Sequence, residues 1–349
     1  MTSKAMRSVV CLVLLLGILS MTGFASNKSR IGTAGAQELL IPVGARGIAL
    51  GYSSAIFLKG VDALYWNPAG LSRMDGSVEA MFSQMSYIAD INVSYGAIGV
   101  RAGDFGDLGF TLKSLAFGNI PVTTVDYPDG TGELYSPGYL TFGVTYSRLL
   151  TDRISVGVTA NLVSEKILSM SATGIAFNVG IQYENLGIQG LLLSVTAKNI
   201  GGNMRFDGAN AYLNATPEEG NRGQTPYKVD MSSFEMPTCL EIGLGYHPKL
   251  DEKSSIAIGG VFRNNNYLDD EVNFGAEYSY MNTAFIRGGY SFAPQASNDI
   301  TGEKSYIFDW TLGAGIQYDV GGVRLGFDYA YRNVKYFSGS NVLTIMVGF

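Results

Sequence analysis

The sequence predicts an all-β protein: an antiparallel transmembrane β-barrel of about 14 strands with a small N-terminal plug. Three observations predict it, namely repeated segments of alternating apolar and polar residues, connections that alternate between short and long, and an unusual composition. The chain has 45 glycines in 349 residues, and only 15% of its residues are charged, against about 25% in an average soluble domain. The alternative is a soluble β-sandwich, but its solvent face would be rich in Lys, Glu and Thr rather than in glycine.

The first 25 residues have the layout of a secretory signal peptide. Lys4 and Arg7 precede the apolar run 9–19, and small residues lead up to a cleavage point after Ala25. The run is shorter than the ~20 residues of a membrane-spanning helix, so an N-terminal anchor helix is the weaker alternative. No comparably long apolar run follows, so membrane insertion has to use strands. We therefore expect residues 1–25 to be removed and the mature protein to lie in the bacterial outer membrane.

The barrel is expected to occupy residues 76–349. Its predicted strands cover 77–86, 91–101, 106–118, 139–150, 154–166, 171–184, 189–200, 238–247, 254–263, 271–280, 283–292, 309–319, 322–332 and 340–349. The long connections 119–138, 201–237 and 293–308 all fall at one end of the barrel, and the connections at the other end are short. Outer-membrane barrels have this asymmetry, with the long loops outside. It also predicts that both termini lie on the periplasmic side.

Alternation assigns the two faces of each strand. In 322–332 the apolar face carries Val323, Leu325, Phe327, Tyr329 and Tyr331, and the opposite face carries Arg324, Gly326, Asp328, Ala330 and Arg332. We expect five charged side chains to point into the lumen: Glu241, Glu277, Arg287, Arg324 and Asp328. They either anchor the plug or line a solute path, or they pair with one another and fill the barrel. Mutual pairing is the interpretation that we favour.

Residues 26–75 show no alternation and are rich in small residues and breakers. They include the run Tyr65, Trp66, Asn67, Pro68, Ala69, Gly70 and Leu71. About 50 residues of this kind before a wide barrel predict a plug inside the lumen, and a periplasmic arm is the alternative. The predicted plug motif consists of Tyr65, Trp66, Asn67, Pro68 and Gly70.

The composition excludes several functions. There is one histidine, and Cys239 is the only cysteine beyond the signal peptide, so no disulfide, no Cys- or His-based metal centre and no cofactor is expected. The acidic stretches 126–130 and 269–271 could hold a calcium ion, but neither has the regular spacing of a calcium loop, and we interpret them as solvated loop charges. A net charge of −6 argues against nucleic acid. No catalytic or phosphate-binding motif is present, so we do not expect an enzyme.

Two stretches resemble the PorV/PorQ family of outer-membrane proteins, which is linked to type IX secretion. They are the opening 36–51, with Ile41, Pro42, Val43, Gly44, Ala45 and Arg46, and the run from Ala63 to Leu71. The family looks like a branch of the FadL-type barrels, with 14 strands and an N-terminal plug. The resemblance implies that the protein binds C-terminal domains of secreted cargo and partners the type IX translocon and attachment complex. The terminal Phe349 resembles the closing aromatic that such barrels present to their assembly machinery.

Three hypotheses for the function follow. The first is the cargo-binding role in type IX secretion that the resemblance implies. The second is a FadL-like channel for uptake of hydrophobic small molecules, whose partners would be outer-membrane lipid and a hydrophobic ligand. The third is a purely structural outer-membrane protein.

Overall fold

The computed structural model describes residues 30–216, 223–296 and 306–349, and the predicted signal peptide lies outside them. Within these ranges fourteen strands form one antiparallel barrel. They are β1 (Val78–Ser86), β2 (Asn92–Arg101), β3 (Asp107–Ala116), β4 (Gly138–Leu149), β5 (Ile154–Ile167), β6 (Met170–Glu184), β7 (Leu191–Gly201), β8 (Cys239–Tyr246), β9 (Ser254–Asn265), β10 (Glu271–Tyr280), β11 (Ala284–Phe292), β12 (Phe308–Val320), β13 (Val323–Val334) and β14 (Ser340–Gly348). The predicted fold class is confirmed.

The barrel closes between its first and last strands. β1 and β14 pair without interruption from Glu79 opposite Gly348 to Ser86 opposite Asn341. β7 pairs with β8 across the longest connection, so the ladder also continues there. A register shift between β6 and β7 lies beside Asn199, whose φ is 58°. Closure removes the exposed strand edges that an open sheet would offer to other chains.

The outer surface of the barrel is apolar, as the alternation predicted. On β13 the exposed fractions are 46% for Leu325, 45% for Phe327 and 40% for Tyr329, and on β14 Ile345 is 54% exposed. Similar rows run along the other strands. A continuous apolar exterior of this size is unfavourable in water but suits a bilayer. No helix in the described part of the chain is long and apolar enough to cross a membrane.

The N-terminal residues fill the lumen as a series of short turns. An α-helical turn, α1, occupies Ala45–Ala49, and 3₁₀ turns occupy Gln37–Leu40, Ser53–Ile56, Gly60–Ala63 and Pro68–Arg73. Other short elements lie outside the plug: the 3₁₀ turns Gly103–Phe105 and Ala209–Ala211, a loop hairpin of Ile120–Pro121 with Leu134–Tyr135, another of Tyr212–Ala215 with Thr225–Lys228, and the short strand Asp207–Gly208, which pairs with β6. The plug residues form one buried apolar cluster with inward side chains of the wall, including Met81, Met85, Val93, Tyr95, Val261 and Val342.

The plug crosses the whole lumen from one end to the other. Arg30 pairs with Glu235 at 2.7 Å, in the long connection between β7 and β8. At the other end Arg73 donates to the Ser155 hydroxyl at 3.2 Å, at the start of β5. Phe349 lies at this second, short-turn end. The first strand begins and the last strand ends at this same end, as the predicted parity of the strands requires. The first described residue lies at the long-loop end, because the chain runs inside the barrel before β1 begins.

Candidate functional site

The predicted plug motif lies in the core of the plug. Trp66 is 1% exposed, and its indole N–H donates to the carbonyl of Val43 at 3.2 Å. The rings of Tyr52 and Tyr65 meet the indole edge to face, with centroids 5.6 and 5.1 Å away. The Tyr65 hydroxyl donates to the carbonyl of Leu39 at 3.1 Å. One buried ring thus joins segments that are far apart along the plug.

Asn67 connects the plug to the barrel wall. Its side-chain oxygen accepts from the N–H of Ala69 at 3.0 Å and so caps the turn Pro68–Arg73. Proline suits the first position of that turn, where a backbone N–H would have no partner within the turn. The side-chain nitrogen of Asn67 donates to the carbonyl of Ile181 at 3.1 Å and to the Ser194 hydroxyl at 2.9 Å. The same side chain therefore shapes the plug and positions it against β6 and β7.

Two wall glycines allow this close approach. A methyl group on Gly157 would collide with the backbone of Pro68, and one on Gly180 would collide with the side chain of Asn67. Gly70 is similarly confined within the plug, where a methyl group would meet Ala63. Glycine on the inward face thus serves packing between plug and wall.

The first buried ion-pair network joins the plug to β10, β11 and β13. Arg46 of the plug pairs with Glu277 at 2.9 Å, and Asp62 lies 4.0 Å from the same guanidinium. Arg287 pairs with Glu277 at 2.5 Å and also with Asp328. The five groups carry three carboxylates and two guanidiniums. Three of the predicted lumen charges therefore meet one another, and Arg46, which was not among the predicted lumen charges, joins them.

The second network lies in the wall between β7 and β10. Glu241 pairs with Lys198 at 3.1 Å and with Arg263 at 2.8 Å. Arg263 also pairs with Glu271 at 3.1 Å. Lys198 and Arg263 were missed by sequence reasoning. Arg263 lies directly opposite Glu241 on β9, and Lys198 lies two residues from its other cross-strand neighbour, Thr196, on β7. These pairings depend on the register of neighbouring strands, which alternation alone does not give.

The remaining predicted residues lie at the short-turn end. Arg324 pairs with Asp75 at 3.0 Å and lies 3.6 Å from Asp319 and 3.9 Å from Glu79. Phe349 is 59% exposed, and its carbonyl accepts from the N–H of Ser77 at 2.6 Å. Arg324 is thus separate from both buried networks. The role of Phe349 as an assembly signal stays a prediction.

The long-loop end of the lumen contains a cavity of about 480 Å³. Leu40 and Ile41 of the plug form part of its floor, and Arg263 and Glu271 contribute polar groups. Most of the wall is aromatic or aliphatic and includes Tyr52, Tyr87, Leu115, Phe117, Tyr139 and Phe308. A volume and lining of this kind are typical of sites for small organic ligands.

Lys113 fixes the floor of this cavity. Its ammonium group donates to the carbonyls of Glu38 and Ile41, at 2.6 and 2.5 Å. Its charge also lies 5.0 Å from the ring centre of Tyr65. Lys113 of β3 thus holds the plug turn Gln37–Leu40 close to the plug motif. The cavity is not bounded by a group of His, Cys, Asp and Glu residues fit to hold a metal ion, and the described residues contain no such group elsewhere.

Comparisons with known proteins agree with this architecture. No family model and no curated protein sequence matches the chain. Three similar solved structures are the toluene transporter TbuX of Ralstonia pickettii, the toluene transporter TodX of Pseudomonas putida and the CymD monoaromatic hydrocarbon channel. Their sequence identities are 14%, 15% and 13%, and their TM-scores are 0.54, 0.53 and 0.52. The matches cover 88%, 87% and 87% of this chain, and 98%, 96% and 98% of theirs.

The chain has the fold of the FadL-like outer-membrane barrels. The closed barrel and its apolar exterior place it in the bacterial outer membrane, so the predicted location is confirmed. The barrel-and-plug part of the PorV/PorQ resemblance agrees with this fold. Membership of that family stays a prediction.

Proposed function

We propose that this protein is an outer-membrane channel that admits hydrophobic small molecules through the cavity at its long-loop end. The cavity is the observation that carries the proposal. It lies on the side that faces outward in barrels of this type, and aromatic and aliphatic side chains make up most of its wall. Transfer of an apolar ring from water to such a surface is favourable in proportion to the area buried. The three structures compared above are named as carriers of toluene or monoaromatic hydrocarbons, which supports the same ligand class here.

This proposal was the second hypothesis from the sequence, and the comparisons support it better than the first. The stretches that resemble PorV/PorQ lie inside the barrel, where Ala45, Ala63 and Leu71 are completely inaccessible. A folded cargo domain cannot reach them, so the resemblance supplies no cargo-binding surface. Partnership with type IX secretion components stays a prediction from the resemblance.

Uptake by intact cells tests the proposal. A Gram-negative host that lacks its own hydrophobic channels would express the protein, and the initial uptake of radiolabelled toluene would be measured. We expect faster uptake than in cells with an empty vector. Equal rates in the two strains, with the folded barrel present in the outer membrane, would contradict the proposal.

A pair of variants on one strand locates the path. Leu115 of β3 is 3% exposed and lines the cavity, whereas Leu112 of the same strand is 48% exposed on the lipid face. Leu115→Trp should fill part of the cavity and slow uptake, and Leu112→Trp should leave it unchanged. Equal uptake by both variants would show that toluene crosses elsewhere.

A further inference from the structure

Arg332 is a buried arginine that pairs with no carboxylate in the described part of the chain. It lies on the inward face of β13 near the long-loop end, and it is 1% exposed. Its Nη1 donates to the hydroxyl of Tyr52. Its Nε and Nη2 have no hydrogen-bond partner, and no ion pair joins it to a carboxylate in residues 30–216, 223–296 or 306–349.

The other lumen arginines differ from it in this respect. Arg263 and Arg287 are similarly buried, and each pairs with two carboxylates. Arg46 pairs with Glu277 and approaches Asp62. Burial of a charge without a partner is costly, because the protein interior replaces little of the lost hydration. Among the described residues, the site around Arg332 therefore lacks the carboxylate that each of these three arginines has.

The side chains around Arg332 also line the cavity. Its guanidinium carbon lies 4.0 Å from the ring centre of Phe308, 5.3 Å from that of Tyr87 and 5.9 Å from that of Tyr52. These cation–π contacts offset part of the cost of burial. They also mean that a ligand against these three rings lies only one side chain away from the unpaired N–H groups.

The two unpaired groups match one ligand chemistry. Nε–H and an N–H of Nη2 lie on the same edge of a guanidinium and point in the same direction. That edge accepts the two oxygens of a carboxylate in a bidentate pair, which is among the stronger hydrogen-bonded arrangements in proteins. The third nitrogen is already oriented by Tyr52, so the guanidinium is held in place before any ligand binds.

We propose that the cavity binds an aromatic carboxylate, with its ring against Tyr52, Tyr87 and Phe308 and its carboxylate on Nε and Nη2 of Arg332. Arg332 is 1% exposed and lies behind these rings rather than in the cavity lining, so one of them must turn aside for the carboxylate to reach the guanidinium. This inference rests on the proposed function, since it names an anionic subclass of the hydrophobic molecules that the channel admits. The anion supplies the charge that the site lacks, and the rings supply the apolar contact.

A pair of ligands tests this on the unaltered protein. Benzoate and benzamide have nearly the same shape, but only benzoate is an anion at neutral pH. Calorimetric titration of the protein in nanodiscs should show benzoate binding roughly tenfold or more tighter, because hydrogen bonds to a charged group are stronger than those to a neutral one. Equal affinities, or no benzoate binding, would overturn the inference.

Three variants assign the effect to Arg332. Arg332→Gln should lose the preference for benzoate, and Arg332→Lys should keep part of it. Arg205→Gln removes an equal charge at the same end of the barrel, where Arg205 is exposed and paired with Asp230 at 2.9 Å, and it should keep the full preference. A heat-dependent gel shift would establish that each barrel is folded. An unchanged preference in folded Arg332→Gln would refute the assignment, and the ligand comparison stands without any variant.

The outcome is separable from that of the uptake experiment. Toluene uptake without a preference for benzoate would support the proposed channel and contradict the proposed anion site. A benzoate preference that depends on Arg332, without toluene uptake, would support the proposed anion site and contradict the proposed channel for neutral hydrocarbons.

Discussion

Replacement of Trp66 by alanine should release the plug without opening the barrel wall. The indole is almost completely buried, between the rings of Tyr52 and Tyr65. None of these three residues belongs to a barrel strand. The change therefore removes contacts within the plug and leaves the fourteen-strand ladder unaltered.

The expected loss is large because the site cannot collapse easily. Replacement of a buried tryptophan by alanine costs about 3–5 kcal/mol, and each edge-to-face ring contact contributes about 0.5–1.5 kcal/mol beyond its buried area. The carbonyl of Val43 also loses its indole donor. A loss of about 4 kcal/mol raises the population of undocked plug by about a thousandfold.

Hydrogen exchange and conductance would measure this release. In the Trp66→Ala variant, backbone amides of residues 43–71 should exchange faster, and single channels in planar bilayers should open more often. Trp310→Ala is a matched control, because Trp310 is 40% exposed on the outer face of β12. Unchanged exchange over 43–71 in a folded Trp66→Ala barrel would refute the reasoning that this ring holds the plug together.

Three further predictions concern other contacts of the plug and wall. Asn67→Ala removes the cap on Ala69 and two bonds to the wall, so it should destabilise the docked plug by about 2 kcal/mol, seen as faster exchange over residues 67–73; unaltered exchange would contradict this. Arg287→Met leaves the buried carboxylate of Asp328 unpaired and removes one of the two partners of Glu277, which keeps Arg46. It should lower the free energy of unfolding by about 3–5 kcal/mol in a urea titration; an effect no larger than that of replacing an exposed arginine would argue against the network. Burial, followed by the Glu165 carboxylate, raises the pKa of Glu38 from 4.5 to about 8. The folded state then binds the extra proton between these values, so docking of residues 36–41 should weaken by up to roughly 1.4 kcal/mol per pH unit as pH rises from 4.5 to 8. Exchange measured across this range should show the slope, and Glu38→Gln should abolish it.

The barrel could be predicted from the sequence because each strand carries its own signal. Alternation in 322–332 is a local property, and it assigned Leu325 and Phe327 to the lipid face without knowledge of any neighbour. The alternation of short and long connections then assigned the two ends of each strand to the two sides of the membrane. Both signals follow from the chain's need to satisfy its backbone and bury one face of each strand.

The candidate site depended on long-range pairing, and sequence reasoning found only part of it. Alternation put Glu241 and Glu277 on the inward face but gave no partners, since those depend on the register of neighbouring strands. The contribution of Arg46 required the path of a segment without periodicity. The cavity forms where the plug no longer fills the lumen, and Arg332 lies beside it without a carboxylate partner among the described residues. No local sequence pattern predicts where the plug stops filling the lumen.

The route of the chain through its own barrel constrains how the molecule is assembled. Residues 30–73 run from the long-loop end to the short-turn end, and β1 then closes against β14. The strands therefore encircle a segment of the same polypeptide. Once β1 and β14 have paired, this segment can enter the lumen only by sliding lengthwise past the inward side chains of the wall. We therefore expect the plug to be in place before β1 pairs with β14, so that this pairing is the last to form.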